Sequence, residues 1–181
     1  AMSNLRRAAA LVQSFKRTSI DQASDHERVY ALSELIDDVL HALHNQLKRL
    51  PVTVTVNCPK GLKIDGAPGL LEQLLTNLLM NSIIHGFDNG ARSGEILISA
   101  SVKGQKLLLD YADTGAGMPQ EALDHLFEPF FTTRRGQGGS GLGMYICYNI
   151  VTVNLGGRLS CESKLDEGVK FFIEFPAKIV G

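Results

Sequence analysis

The sequence lacks an excess of either charge, and it lacks any long apolar run. Its 181 residues include 18 Lys and Arg against 19 Asp and Glu, for a formal net charge of -1. A dedicated nucleic-acid-binding domain would carry a basic excess, so we expect no nucleic-acid partner. The longest apolar candidate, residues 144–153, is shorter than the roughly 18 residues that a membrane helix needs. We therefore expect no membrane contact by this chain.

Cysteine is also scarce, and several common catalytic motifs are missing. Three cysteines, odd in number and without C-x-x-C spacing, favour a reduced, cytoplasmic compartment. The N-terminus has no signal-peptide pattern, and Ala1 before Met2 suggests a piece of a longer protein. The absence of a P-loop, an H-E-x-x-H motif and a G-x-S-x-G elbow disfavours P-loop NTPases, zinc proteases and α/β-hydrolases.

The apolar periodicity predicts a mixture of helices and strands. Helices are predicted at residues 3–20, 32–50, 68–85, 119–126 and 142–154, and strands at 52–56, 95–102, 106–111, 158–163 and 169–175. Residues 18–27 are interpreted as a polar connector and residues 57–66 as a turn-rich return. This order favours an α+β fold with helices packed on one face of a mostly antiparallel sheet.

The helix predicted from residue 68 carries polar side chains beside its leucines. Gln73, Asn77, Asn81 and His85 are four residues apart and so form one stripe along the helix. Amides beside a core face are costly to bury unless they are hydrogen-bonded, so they could simply bond neighbouring loops. Alternatively, the Asn81 oxygen binds Mg²⁺, a hard cation that takes few protein ligands and completes its shell with water and phosphate.

Three further segments follow along the chain. Residues 113–118 (DTGAGM) either form a turn or place a carboxylate where it accepts a hydrogen bond from an amino group, such as an adenine edge. Residues 126–135 (LFEPFFTTRR) either anchor a loop to the core or form a lid whose arginines reach phosphate. Residues 136–143 (GQGGSGLG) contain five glycines directly before a helix, which favours an anion site built from backbone N–H groups.

In this order the four segments resemble the N box, first glycine box, F box and second glycine box of the catalytic ATP-binding domain of two-component sensor histidine kinases. The similarity runs from about residue 52 to residue 176, and residues 11–17 resemble the end of the second helix of that family's dimerisation domain. The resemblance implies a two-layer α/β sandwich of the Bergerat type, preceded by an N-terminal helix. It assigns residues 1–28 to the dimerisation and phosphoacceptor hairpin with its linker, and residues 29–181 to the catalytic ATP-binding domain.

The resemblance also implies roles for individual residues. Asn77 and Asn81 are implied to be catalytic, with Asn81 ligating Mg²⁺. The residues implied to bind ATP are Asn77, Asn81, His85, Asp113, Gly115, Gly117, Met118, Phe131, Thr132, Thr133, Arg134, Arg135, Gly138, Gly139, Ser140, Gly141, Leu142 and Gly143. The implied cofactors are ATP and Mg²⁺.

The implied activity is that of a protein-histidine kinase. Such an enzyme donates the γ-phosphoryl group of ATP to a histidine on its own dimerisation domain, for relay to an aspartate on the receiver domain of a response regulator. The implied partners are therefore these two domains, and the full-length protein is implied to be a homodimer. The resemblance leaves open whether that parent protein is membrane-anchored.

Two positions depart from the family pattern. Many members have Lys three residues after the magnesium-binding Asn, where this chain has Ile84, so we expect Arg134 or Arg135 to supply the cation for phosphate. The closing hairpin usually carries Gly-Thr, where this chain has Gly168 and Val169. We therefore expect the loss of a hydroxyl that would assist the carboxylate of residue 113 and help to bind nucleotide tightly.

Asn77 bears on the type of reaction. Related gyrase-like and chaperone ATPases have a water-activating Glu at this position, whereas an amide has no basic lone pair, so we expect ATP to be held without rapid hydrolysis. His26 begins a segment like the H box but lacks the usual Pro and follows the second-helix segment, so we expect the phosphoacceptor histidine to lie outside this chain. The alternatives are a nucleotide-sensing or docking module without kinase activity, which Ile84 and Val169 would suit, and an ATP hydrolase, which Asn77 disfavours.

Overall fold

Eight strands and five α-helices make up the part of the chain that the computed structural model describes, residues 27–133 and 140–181. The strands are β1 (Arg28–Ala31), β2 (Val52–Asn57), β3 (Lys63–Gly66), β4 (Gly94–Lys103), β5 (Lys106–Asp113), β6 (Arg158–Lys164), β7 (Gly168–Pro176) and β8 (Lys178–Val180). The helices are α1 (Leu32–Ala42), α2 (His44–Leu47), α3 (Pro68–Asn81), α4 (Gln120–Asp124) and α5 (Gly143–Asn149). Helices α3 and α5 each continue into a π turn, Ser82–Gly86 and Ile150–Asn154, and a 3₁₀ turn covers Asp88–Gly90.

The main sheet has five strands in the order β2-β4-β5-β7-β6. Strand β2 runs parallel to β4, and every other pair in this sheet is antiparallel. A second sheet of three antiparallel strands has the order β1-β3-β8. The pairing of β5 with β7 places Asp113 opposite Val169, so the predicted adenine-binding carboxylate lies at the end of the central strand.

In the part of the chain that the structure describes, helices cover one face of the main sheet and leave the other uncovered. Along β4, Ile96 and Ile98 are fully buried, whereas Leu97 between them is 39% exposed. The buried face packs against α3, whose helical period places its leucines toward the sheet. The fully or almost fully buried leucines of α3 are Leu71, Leu74, Leu75, Leu78 and Leu79. Each contributes about 1.5–3 kcal/mol by burial, so α3 is firmly fixed relative to the sheet.

The predicted α+β fold, a mostly antiparallel sheet covered by helices on one face, is confirmed. The predicted N-terminal helix at residues 3–20 and most of the connector after it lie outside the described residues. The division of the chain between residues 28 and 29 stays a prediction. None of the helices in residues 27–133 and 140–181 is both long and apolar enough to cross a membrane.

Several predicted boundaries were wrong. The helix predicted at 32–50 is interrupted at Leu43, whose φ of -95° and ψ of 8° are not helical, and only one further short helix follows. The segment 57–66, predicted as a turn-rich return, contains the strand β3. In it the buried Leu62 and Ile64 alternate with polar residues, but this alternation is too short to be recognised as a strand beside the neighbouring glycines. The predictions also missed β1 and β8, which are strands only because they pair with β3.

Candidate functional site

A cavity of about 540 Å³ lies between the C-terminal half of α3 and the segments on either side of α4 and before α5. We call it the α3 cavity. Its volume lies in the range of about 300–1,000 Å³ that is usual for ligand pockets. Predicted site residues from all four sequence segments line it, namely Asn77, Asn81, His85, Gly117, Met118, Phe131, Thr132, Thr133, Ser140, Gly141 and Gly143. Residues that are far apart in sequence thus share one concave surface.

The remaining predicted site residues have other positions. Asp113 and Gly115 are not among the residues that line the cavity, but they are joined by a hydrogen bond and come shortly before the lining residue Gly117 in the chain. Leu142 is buried and lies in sequence between the lining residues Gly141 and Gly143. Arg134, Arg135, Gly138 and Gly139 lie outside the described residues. The expectation that an arginine replaces the missing cation at position 84 therefore stays a prediction.

Helix α3 supplies one wall of the cavity through both polar and apolar side chains. The Nδ2 of Asn77 donates a hydrogen bond to the carbonyl oxygen of Gly143 at 3.3 Å, which ties α3 to the start of α5. This bond agrees in part with the alternative in which the amides of the stripe bond neighbouring segments. Asn81 lies one helical turn farther on and lines the same cavity, where its amide oxygen is of the kind that Mg²⁺ binds.

Ile84, named from the sequence as the position of the absent cation, lines the cavity, whereas sequence reasoning missed five further apolar lining residues: Met80, Pro119, Ala122, Leu126 and Met144. Met80 could have been found, because it follows Asn77 by three residues and so shares its helix face. The others come from segments whose approach to α3 depends on tertiary packing. Together they give the cavity an apolar lining on which a flat ring could pack.

The carboxylate of Asp113 is buried, with 5% of its surface exposed, and hydrogen-bonded at both oxygens. The Gly115 N–H donates to Oδ1 at 2.9 Å, and the Ser82 hydroxyl donates to Oδ2 at 2.5 Å. Ser82 Oγ is also 2.7 Å from the hydroxyl of Tyr111. Burial, reinforced by the neighbouring carboxylate, raises the pKa of Tyr111, so this hydroxyl keeps its proton.

Close backbone contacts explain the glycines on both sides of this carboxylate. A Cβ on Gly115 would lie 2.6 Å from the Cα and carbonyl oxygen of Gly86, and one on Gly86 would lie 3.1 Å from the Asp113 Oδ2. The Ala116 N–H donates to the Gly86 carbonyl at 2.8 Å. The loop after β5 is therefore held against the π turn that ends α3. Gly117 has a φ of 62°, a conformation that glycine adopts readily.

Val169 stands where the family usually has Thr, and the structure shows which hydroxyl groups lie nearby instead. Ser163 is the residue paired with Val169, but its hydroxyl accepts from the Met118 N–H at 3.0 Å and donates to the Gly168 carbonyl at 2.7 Å. It thus supports the loop rather than the carboxylate. The hydroxyl that bonds to Asp113 comes instead from Ser82, on the opposite side, which sequence reasoning did not single out.

The segment after α4 approaches the segment before α5 at one tight contact. Phe130 and Gly141 both have positive φ, 66° and 67°, and a Cβ on Gly141 would lie 2.5 Å from the carbonyl carbon of Phe130. The ring of Phe127 lies 5.3 Å from that of Tyr148 on α5. These contacts hold Phe131 at the rim of the cavity.

Comparison with known proteins identifies the class. Residues 66–179 match the family described as histidine kinase-, DNA gyrase B-, and HSP90-like ATPase. Because this match covers more than half of the chain, the chain belongs to that family. Its relatives are sensor histidine kinases, so the recognition of a histidine kinase catalytic domain from the sequence is confirmed.

Individual relatives define the similarity further. The sensor histidine kinase GlrK of Escherichia coli is 31% identical over 180 residues, covering 96% of this chain and 36% of GlrK. The catalytic domain of the histidine kinase ThkA superposes with a TM-score of 0.72 at 28% identity, covering 83% of this chain and 95% of that one. The structure of ThkA in complex with the response regulator TrrA superposes on 98% of this chain and 49% of the ThkA chain, with a TM-score of 0.69. At 24% identity, this match shows likeness of fold alone. The chain spans between 15% and 42% of the length of eight of the curated relatives that it matches.

Proposed function

We propose that this chain is the ATP-binding catalytic domain of a sensor histidine kinase and that it donates the γ-phosphoryl group of ATP to a histidine on the dimerisation domain. The observation that carries the proposal is the α3 cavity, in which Asn81, Gly117 and Gly141 share one surface, with the buried Asp113 four residues before Gly117 in the chain. The family match supports ATP as the substrate. A purine triphosphate has one flat end and one anionic end, and this cavity has an apolar wall and a rim of amide, hydroxyl and backbone groups.

In this proposal some groups of the chain contact the adenine end of the nucleotide and others contact its phosphates. Asp113 accepts a hydrogen bond from the adenine amino group, while Gly115 and Gly117 allow the backbone to approach the ring. His85 and the polar side chains Thr132, Thr133 and Ser140 lie toward the phosphates. The described lining offers amides, hydroxyls and backbone groups there, and Arg134 and Arg135 are proposed to add positive charge.

The Asn81 oxygen fits a magnesium ion that is held mainly by phosphate and water, since Mg²⁺ often takes only one or two protein ligands. Bound Mg²⁺ would neutralise charge on the phosphate oxygens. In the transfer itself, the bond between the γ-phosphorus and the β–γ bridging oxygen breaks and a bond to the histidine nitrogen forms, with ADP as the leaving group. Catalysis of this kind depends on positioning and charge neutralisation.

Asn77 supports transfer over hydrolysis. Its side chain is an amide without a basic lone pair, and its Nδ2 already donates to the Gly143 carbonyl at 3.3 Å. It is therefore unsuited to remove a proton from an attacking water. We propose that Asn77 contributes to the site by holding the start of α5 beside α3.

The proposal extends to the parent protein. Residues 1–28 would end the dimerisation and phosphoacceptor hairpin, and residues 29–181 would form the catalytic domain. The partners would be that dimerisation domain, in a homodimer, and the receiver domain of a response regulator. ThkA, a structural neighbour, is known in complex with the response regulator TrrA.

Calorimetric titration with a non-hydrolysable ATP analogue, with and without Mg²⁺, tests the binding step. We expect the wild-type chain to bind and Asp113→Asn to bind about tenfold more weakly, because a hydrogen bond to a charged acceptor is lost. Asp110→Asn is the matched control, since Asp110 is an exposed residue on the same strand. No binding by the wild type at millimolar nucleotide would favour the docking module instead.

Incubation with γ-labelled ATP tests the transfer step. We expect the chain to bind nucleotide without retaining label, and we expect little release of phosphate. Label that stays on the chain and disappears in His26→Ala would place the phosphoacceptor within it. Steady-state phosphate release that Asn77→Ala abolishes would favour an ATP hydrolase.

A further inference from the structure

Three buried polar side chains form a continuous hydrogen-bonded chain from the core to the end of β5, where the loop that carries the cavity residue Gly117 begins. Tyr111 is fully buried, Ser82 is 2% exposed and Asp113 is 5% exposed. The two links measure 2.7 Å, between the Tyr111 and Ser82 hydroxyls, and 2.5 Å, between Ser82 Oγ and Asp113 Oδ2. Buried polar groups that are bonded in this way are expensive to disrupt, so their arrangement is well defined.

The direction of donation along this chain follows from its two ends. The Ser82 hydroxyl donates its hydrogen bond to Oδ2 of Asp113. Ser82 then has only lone pairs to offer, and the protonated Tyr111 hydroxyl donates to it. The Gly115 N–H holds Oδ1 at 2.9 Å from the other side. Both carboxylate oxygens are therefore fixed by a donor, and each keeps one further lone pair for a ligand.

We infer that Ser82 is a positioning residue that orients the Asp113 carboxylate to accept the amino group of an adenine ring. This inference rests on the proposed function. Ser82 acts through Asp113 and is absent from the lining of the cavity. It supplies, from the π turn after α3, the kind of hydroxyl that Val169 cannot supply from β7, so we expect adenine recognition to be kept despite that departure.

The position of Ser82 gives this role a mechanical basis. It directly follows Asn81 and opens the π turn Ser82–Gly86, in which the Phe87 N–H bonds to the Ser82 carbonyl at 2.7 Å. π turns inside helices often occur at functional sites. The same stretch of backbone thus carries the amide proposed to bind Mg²⁺ and the hydroxyl that orients the adenine-binding carboxylate. One rigid element would therefore position both the phosphate end and the adenine end of the nucleotide.

The test compares ATP with purine riboside triphosphate, which lacks only the 6-amino group. We expect the wild type to prefer ATP by about tenfold or more, the factor that a hydrogen bond to a charged group gives. In Ser82→Ala this ratio should fall to about threefold or less, because the hydroxyl that fixes Oδ2 is gone. Binding of the triphosphate portion should persist, so both ligands should still bind.

Tyr111→Phe is the matched control, since it removes a buried hydroxyl from the same chain but leaves the bond between Ser82 and Asp113. Its ratio should stay within about twofold of the wild-type ratio, while Ser82→Thr, which keeps the hydroxyl, should restore it. A ratio in Ser82→Ala within twofold of wild type would overturn the inference. So would an equal loss in Tyr111→Phe, since that would indicate general loosening of the core.

A second measurement needs neither a variant nor a nucleotide. In the nucleotide-free wild type, the hydroxyl protons of Ser82 and Tyr111 should appear in NMR spectra as slowly exchanging signals, because both are buried and bonded. Their absence at low temperature would contradict the hydrogen-bonded chain even if ATP binds. Conversely, slow hydroxyl signals in a protein that does not bind ATP would contradict the proposed function while supporting the hydrogen bond between Ser82 and Asp113.

Discussion

Replacing Gly115 by alanine should destabilise the fold by an amount that follows from one close contact. The added Cβ would lie 2.6 Å from both the Cα and the carbonyl oxygen of Gly86 and 2.7 Å from its carbonyl carbon. Carbon atoms pack best at about 3.5–4.0 Å, so the loop after β5 or the π turn must move by roughly 1 Å. All three atoms belong to backbone, so no side chain can rotate out of the way.

The magnitude combines strain with weakened hydrogen bonds. Overpacking of this kind costs about 1–3 kcal/mol. The move would also loosen the bonds from the Gly115 N–H to Asp113 and from the Ala116 N–H to Gly86, each worth about 0.5–1.5 kcal/mol. A total of about 2–4 kcal/mol corresponds to a fall in melting temperature of roughly 5–15 °C for a domain of this size.

Thermal unfolding followed by circular dichroism provides the measurement, with Gly66→Ala as the control. The nearest atom to a Cβ on Gly66 is the Ile64 Cγ2 at 3.9 Å, an ordinary contact, so that variant should melt close to the wild type. A Gly115→Ala protein that melts within 1 °C of the wild type would refute the argument. It would mean that the loop adapts without cost and that close approach is not why glycine is needed there.

Three further predictions concern charge and reactivity around the site. Ile84→Lys should tighten Mg-ATP binding about twofold to fivefold by calorimetry, as expected of a partly exposed ion pair, and added salt should reduce the gain. The hydrogen bond to Glu128, 2.8 Å long, raises the pKa of His125 above its ordinary value of 6.5, so NMR titration of Glu128→Gln should show that pKa returning toward 6.5. The stabilising effect of this pair is complete below pH 6.5 and disappears as the pH rises through the raised pKa; an unchanged His125 titration in the variant would contradict the pairing. Burial raises the pKa of Cys147 to about 12, so this thiol should resist alkylation at pH 8 until the protein unfolds, and rapid labelling detected by mass spectrometry would show that α5 separates from α3 in the folded protein.

The α3 stripe shows how far periodicity carries a functional prediction. Asn77, Asn81 and His85 recur every four residues, which is enough to place them on one face of a helix, and all three line the cavity. The same rule would have added Met80. It could not indicate that the helix changes to a π turn at Ser82, because that turn is defined by a backbone hydrogen bond from the Phe87 N–H to the Ser82 carbonyl at the end of the helix, where no further apolar period follows.

The glycines show what residue composition can and cannot predict about the site. Their unusual number between residues 113 and 143 is visible in the sequence and predicts close backbone approach or an anion site. Which backbone approaches is a matter of tertiary contact: Gly115 meets Gly86, and Gly141 meets Phe130. Each partner is more than ten residues away, and no local signal names it.

The sequence by itself determined the class of fold, the helix that carries the asparagines and the order of the four segments, because these depend on local period and on residue chemistry. Only the tertiary structure decided that the hydroxyl beside Asp113 comes from Ser82 rather than from β7, and that β1, β3 and β8 form a second sheet. Hydrogen-bond partners and strand pairs are chosen among groups that folding brings together from distant parts of the chain. Their choice depends on packing geometry that no stretch of sequence contains alone.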